Sequence, residues 1–351
     1  MFVGRDDQLR RLSALLERVD ASEDRKPGKA LLIRGRRRVG KSRLVEEFVD
    51  RCGVPYLFYT AVGRPVQEEL RLFCAEVAAS DLPGAALFRG VQLDSWDAAL
   101  RLLSSALPET GSVVIFDELP YLVANDDGFE GTLQRSFDRD LSAHRVLLIG
   151  IGSDLAMMEA LNEYGRPFHQ RATEMVVPPL TPAEVGAMLD LAPAEAFDAY
   201  LVTGGLPLIC GEWRRGMSMW DYLEQALNDP TSALLVSAER ALAAEFPTDA
   251  QARLVLGTIG SGERTFTNIG RQTGDLPQMS LTRSLNVLTS KRIVAADQPL
   301  STRSGSRDKR YRVADPYLRF WLAFVGPYVA EVERGRGDRV LARVQASWTS
   351  W

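Results

Sequence analysis

The chain has 351 residues, 46% of them hydrophobic and 25% charged, with a formal net charge of −4. That length exceeds what one hydrophobic core serves, so two or three domains are expected, and the mild acidity excludes nucleic-acid binding over the whole surface. Three cysteines, Cys52, Cys74 and Cys210, lack CxxC spacing, and there are two histidines, His144 and His169. These numbers exclude a disulfide framework and a zinc site and leave little for a histidine-based centre. The chain shows no apolar signal core and no run of about 18 apolar residues, so a cytoplasmic protein without a membrane partner is expected.

In chain order, residues 5–19 predict a helix with Leu9, Leu12, Leu15 and Leu16 on one face. A polar stretch with Pro27-Gly28 ends it. The apolar run Ala30 to Ile33 then leads into Gly35-Arg36-Arg37-Arg38-Val39-Gly40-Lys41-Ser42, which fits GxxxxGK[ST]. In this strand-to-helix setting the motif is a phosphate-cradling loop, in which glycines let backbone N–H groups point inward and a helix start adds its positive dipole end. Lys41 is expected to reach the β- and γ-phosphates of ATP, and Ser42 to ligate Mg²⁺.

Leu44, Val45 and Phe48 continue a helix, residues 55–60 read as a second strand, and helices are expected over 66–79 and 95–107. Ser112 to Phe116 is a continuous apolar run closed by Asp117-Glu118, and residues 146–151 form another. Short apolar runs alternating with helical stretches predict a parallel sheet covered on both faces, an α/β P-loop NTPase core extending over residues 1–180. At the end of its buried strand Asp117 is expected to hold Mg²⁺ through water, and Glu118 to orient and deprotonate the attacking water. Ser153 reads equally as a γ-phosphate sensor and as a helix N-cap. Arg166 and Arg171 are the candidates for a charge on the transferring phosphoryl group, whereas Arg36, Arg37 and Arg38 are expected only to raise the local potential.

Residues 181–248 predict a small helical lid, with helices over 183–189, 193–202, 207–215, 220–227 and 233–244. Residues 249–315 carry 11 Lys/Arg against 6 Asp/Glu, and residues 1–248 carry 26 against 37. An acidic front and a basic rear suggest different partners. Within 249–315 three helices, the last over 277–291, and strands at 293–295 and 311–313 spell a winged helix-turn-helix. Two readings of it stand. Either it binds double-stranded DNA, with Arg283, Lys291, Arg292, Arg303, Arg307, Lys309 and Arg310 on phosphates and Thr282 and Asn286 near base edges, or it docks a protein or caps the ATPase. Residues 316–351 open a further helical region.

The motifs together resemble the archaeal-type ATPase family, a STAND-related, AAA+-like branch of P-loop NTPases. The segment Phe2-Val3-Gly4-Arg5 is similar to the family's adenine-side opening, and Gly35 to Ser42 to its phosphate loop. Phe116-Asp117-Glu118-Leu119-Pro120-Tyr121-Leu122 resembles its Asp-Glu strand end, and Gly152-Ser153 with Met157-Met158-Glu159 its sensor segment. Arg171 ahead of Val176-Val177-Pro178-Pro179-Leu180 matches the family's arginine before the last strand. Gly204-Gly205-Leu206-Pro207 looks like the turn such proteins place against the base, or equally a helix break with proline in the first turn. The resemblance implies a nucleotide-contacting set of Val3, Gly35, Val39, Gly40, Lys41, Ser42, Arg43, Ser153, Gly205 and Pro207, with Glu118, Lys41 and Arg171 in catalysis. Many members continue into a nuclease-like domain of the PD-(D/E)xK kind; this sequence carries no such signature, and no nuclease activity is expected. An ATP-driven switch whose slow hydrolysis resets the lid against the winged helix is the leading expectation. A DNA-binding regulator with a structural nucleotide is the alternative, and a helicase-like motor is disfavoured because no strand-separating motif follows Asp117-Glu118.

Overall fold

The computed structural model describes residues 2–166, 168, 171–246, 250–260, 262, 264–274, 276–298 and 309–351. The chain divides into two compact units, Met1–Pro178 and Pro179–Trp351.

The first unit is built on five parallel strands: β1 (Lys29–Arg34), β2 (Tyr56–Thr60), β3 (Ser112–Asp117), β4 (Val146–Gly152) and β5 (Ala172–Val176), in the order β2-β3-β4-β1-β5. The central strands β3 and β4 are buried at every residue, as near-continuous Val/Ile/Leu runs in a doubly covered sheet require. Helices α1 (Asp6–Asp20) and α2 (Lys41–Cys52) pack against one another, and α1 also lies against β4. Helices α3 (Val66–Ala79), α4 (Trp96–Ala106), α5 (Leu119–Asn125) and α6 (Phe129–Arg139) supply residues to one core cluster with Ala30, Leu32, Leu57, Tyr59, Val114, Phe116 and Leu148. Strand alternation sends Leu31, Ile33, Val113 and Ile115 to the opposite face. The aromatic heart of the cluster is Phe73 stacked on Phe116 at 5.8 Å, with Trp96 edge-on to Phe129 at 5.0 Å.

The connection leaving β1 runs to the far edge strand β2, while the one leaving β4 runs past β1 to β5 through α7 (Leu155–Ala160). Chain direction therefore reverses at β1 and β4, and the crevice beyond their carboxyl ends is where open α/β sheets bind ligands. Helix α6 was not foreseen from the sequence, although Phe129, Leu133 and Phe137 recur every fourth residue and are all buried. The last strand occupies Ala172–Val176, earlier than the Val176–Leu180 segment the resemblance implied.

The second unit opens with α8 (Pro182–Leu189), α9 (Pro193–Thr203), α10 (Pro207–Cys210), α11 (Met219–Asn228) and α12 (Ala233–Glu245). The expected helix over 207–215 is a single turn. Thr181 caps α8 in a complete capping box with Glu184. Next come α13 (Ala250–Ile259), β6 (Arg264–Thr265), α14 (Phe266–Gln272), α15 (Gln278–Ser290), β7 (Val294–Asp297) and β8 (Arg310–Val313), the strands forming an antiparallel sheet in the order β6-β8-β7. Leu281, Leu285 and Leu288 are buried on the inner face of α15, as its 3.6-residue period dictates. Helices α16 (Pro316–Phe320), α17 (Val329–Glu333) and α18 (Gly337–Ser347) follow. The Tyr317 hydroxyl donates to the Leu234 carbonyl at 2.7 Å and the Trp321 indole N–H to the Leu235 carbonyl at 3.1 Å, which ties this tail to α12. Among the described residues no helix is long and apolar enough to cross a membrane.

Candidate functional site

Gly35 to Ser42 leaves β1 and starts α2, and its two glycines sit where side chains fail. A Cβ on Gly35 would lie 2.5 Å from the Val177 carbonyl oxygen, and Gly40 turns the chain into α2 at φ 85°. Arg5, itself in the left-handed region at φ 70° and almost wholly buried, donates from Nη2 to the Val39 carbonyl at 3.0 Å. The N-terminal segment thus anchors the loop. Val3 is half-buried in that segment.

Lys41 stands at the first turn of α2 and folds back over the loop, its Nζ donating to the Gly35 carbonyl at 2.9 Å and the Arg36 carbonyl at 3.0 Å. Burial lowers its ammonium pKa from an ordinary 10.5 to about 8, against the pull of the Glu118 and Asp117 carboxylates, with Arg37 adding to the depression. The next residue, Ser42, donates from Oγ to Asp117 Oδ2 at 2.7 Å. Asp117 ends β3 and is 6% exposed. Burial raises its carboxyl pKa, while the Ser42 hydroxyl and the Glu118 N–H, which donates to Oδ1 at 3.0 Å, oppose that rise.

Glu118 follows at φ 52° and ψ 41°, a left-handed conformation that a glutamate seldom adopts. Its carboxylate accepts from the Ser153 hydroxyl, with Oγ 2.8 Å from Oε1 and 3.0 Å from Oε2. Ser153 is buried just beyond β4. The N-cap of α7 is Asp154, whose Oδ1 accepts the Met157 N–H at 3.0 Å. Of the two roles the sequence left open, capping falls to the neighbour and the Ser153 hydroxyl turns to Glu118. On the other side of β3, buried Glu69 of α3 accepts the N–H groups of Val62 at 3.1 Å and Arg64 at 2.7 Å, holding the loop after β2, while the Ala61 N–H bonds the Asp117 carbonyl at 3.0 Å. The sequence reading passed over Glu69, since a lone glutamate on a helix carries no signal of burial.

Lys41, Ser42, Asp117, Glu118 and Ser153 therefore converge. Arg171 does not join them. It directly precedes β5, whose Ala172 is paired with Ala30, whereas Val176 is paired with Arg34 beside the loop. At about 3.3 Å per residue this places Arg171 about 17 Å down the strand from the level of Arg34, where the phosphate loop begins, and its Nε meets Asp138 Oδ2 at 2.9 Å. Arg166 pairs with Glu130 at the start of α6, at 2.5 Å. Arg43 points to solvent, paired with Glu46 at 3.2 Å and Glu47 at 3.3 Å. The Gly205 turn lies in the second unit and has a local explanation: at φ 65° a Cβ there would fall 2.0 Å from the Leu180 carbonyl oxygen, and Pro207 occupies the first turn of α10. On α15, Thr282, Arg283 and Asn286 are exposed, as are Lys309 and Arg310 at the start of β8; Arg303 and Arg307 lie outside the described residues.

Sheet order, loop and strand-end carboxylates define an α/β P-loop NTPase core. No family model matches the chain. It is 23% identical over 343 residues to the uncharacterized protein MJECL04 of Methanocaldococcus jannaschii, covering 96% of this chain and 72% of that protein. Among solved structures it is similar to a Walker-type ATPase of Pyrococcus abyssi, with a TM-score of 0.61 and 20% identity over 92% of this chain and 96% of that one. It is also similar to the Aeropyrum pernix ORC2 protein in its ADPNP–ADP complexes, with a TM-score of 0.54 and 16% identity over 97% and 93% of the two chains. What is shared is the fold.

Proposed function

We propose that the chain binds ATP with Mg²⁺ and hydrolyses it slowly, as a nucleotide-dependent switch. The observation that carries this reading is the connected set Lys41, Ser42–Asp117 and Glu118–Ser153 at the carboxyl ends of β1, β3 and β4. A loop glycine pressed against a backbone carbonyl, with a buried lysine folded over it, suits a polyphosphate. Ser42 and Asp117 offer the hard oxygen ligands Mg²⁺ prefers, and one or two such side chains completed by phosphate oxygens are its ordinary protein site. The ion would neutralise charge on the phosphate oxygens. Glu118 is the group to orient and deprotonate water, and Ser153 holds its carboxylate. Residues 1–180, 181–248 and 249–315 are read as ATPase core, helical lid and winged helix, and 316–351 as the start of a helical region.

Titration of ATP against wild type and Lys41→Ala tests the reading. Micromolar-range binding that Lys41→Ala loses is expected, and equal affinity would remove the loop from the role assigned. A second reading, a DNA-binding regulator with a mainly structural nucleotide, draws on the exposed Thr282, Arg283 and Asn286 of α15. Duplex binding that falls steeply with salt supports it, and none at low salt rejects it.

A further inference from the structure

Four arginines crowd the phosphate loop, and they are differently placed. Arg34, just before it, is held by Glu159 at 2.5 Å and Glu174 at 3.0 Å. Arg36 is half-buried and Arg37 is exposed. Arg38 is half-buried, sits in the left-handed region at φ 68°, and its Nη1 is buried without a hydrogen-bond partner among the described residues. A guanidinium stays charged at every relevant pH, so it has no neutral state in which to escape that cost. An unsatisfied charged donor costs roughly as much as the strongest hydrogen bonds contribute.

The backbone around Arg38 is fixed from both sides. Gly35 abuts the Val177 carbonyl, Lys41 bonds the carbonyls of Gly35 and Arg36, and Arg5 bonds the carbonyl of Val39. The carboxylates of the nucleotide site are already engaged within the chain, Asp117 with Ser42 and Glu118 with Ser153. A buried cationic donor on this loop thus calls for an anionic oxygen from outside the chain. We infer that Arg38 is a phosphate-binding residue, its half-buried side chain turning out of this unpartnered placement so that the guanidinium donates to a phosphate oxygen of the bound nucleotide. This rests on the nucleotide-binding reading above and goes beyond it, since the motif itself assigns phosphate contact to the backbone and to Lys41. It also explains why strain persists there: the surrounding contacts hold Arg38 in a conformation whose return comes on binding.

The test uses the full chain and two variants, Arg38→Asn, which tolerates the left-handed backbone without the charge, and Arg38→Lys. Calorimetric titration with ATP and Mg²⁺ is expected to show a 10- to 100-fold weaker affinity for Arg38→Asn and partial recovery in Arg38→Lys, the size of a lost charge-assisted hydrogen bond. Thermal unfolding without nucleotide is expected to give Arg38→Asn a midpoint equal to or above wild type, because the orphaned donor is gone. Affinities within twofold of wild type would overturn the inference, as would a lower midpoint without nucleotide, which would mark Arg38 as structural. Wild type failing to bind ATP sinks the nucleotide reading itself; wild type binding ATP while Arg38→Asn binds equally sinks only the role of Arg38.

Discussion

The Ser153 hydroxyl lies 2.8 Å from one carboxylate oxygen of Glu118 and 3.0 Å from the other, bridging the ends of β4 and β3. A hydroxyl has one proton to give, so it can serve only one of these oxygens fully at a time. The bond fixes a side chain whose own backbone sits in an unfavourable region at φ 52°. Ser153→Ala is therefore expected to leave ATP affinity within about threefold and to lower kcat by roughly tenfold, the value of one hydrogen bond to a charged group. Glu118→Gln should keep ATP bound and lose about 10² in kcat or more. Steady-state phosphate release with a parallel binding titration separates the two terms. Undiminished turnover in Glu118→Gln would assign the base elsewhere.

Lys41 makes ATP affinity depend on pH in a stated direction. Its pKa in the nucleotide-free protein is held near 8 by burial, and anionic phosphates beside it would raise that value. Binding then takes up a proton above pH 8, so affinity is expected to hold between pH 6.5 and 7.5 and to fall by up to tenfold per pH unit beyond 8. Stability runs the opposite way with pH, because burial favours the neutral amine. The unfolded chain binds more protons than the folded one between about pH 8 and 10.5, so stability rises with pH across that window. The unfolding free energy of wild type relative to Lys41→Met should gain about 3 kcal/mol over it, being lowest below pH 8. Urea titrations of both proteins at pH 7 and pH 10.5 measure the difference, and a flat result would place Lys41 in solvent.

Much of this site was legible because it rests on local pattern. Gly35 to Ser42 after an apolar run, and Asp117-Glu118 after another, name both halves of the crevice, and the parallel sheet that joins them follows from alternation alone. What was not legible depends on distance through space. Ser153 and Asp154 are adjacent and both cap helices well, so spacing could not say which takes the Met157 N–H and which turns to Glu118. Arg171 stands next to a strand, but only the pairing of Ala172 with Ala30 shows that it is the wrong end of that strand. The buried state of Glu69 and of Arg38 Nη1 likewise arises from packing that no local motif encodes.

Gly205 tests whether its turn is required by the fold. A methyl at this position would fall 2.0 Å from the Leu180 carbonyl oxygen and would also have to adopt φ 65°. Backbone cannot yield as a flexible side chain does, so Gly205→Ala is expected to destabilise the second unit by about 2 kcal/mol or more. Differential scanning calorimetry reads this as a lowered midpoint for the transition of that unit. A variant as stable as wild type would remove the packing explanation and leave a ligand contact as the reason for glycine.

Helix α15 decides between the two readings of the second unit. Its inner face is closed by Leu281, Leu285 and Leu288, and Thr282, Arg283 and Asn286 are among the exposed side chains on its outer face. If they meet DNA, the two polar types have separable effects. Arg283→Ala should weaken binding to all duplexes alike and reduce the slope of log K against log salt by about 0.9, the counterion released by one phosphate contact. Asn286→Ala should leave the slope unchanged and cost about 1–3 kcal/mol only on sequences that place an adenine opposite it. Fluorescence anisotropy of labelled duplexes between 50 and 200 mM salt, with random and selected sequences, measures both. Equal losses for the two variants on every sequence would indicate a surface that recognises charge without reading bases. No binding by wild type at 50 mM salt would turn the face of α15 toward a protein partner instead.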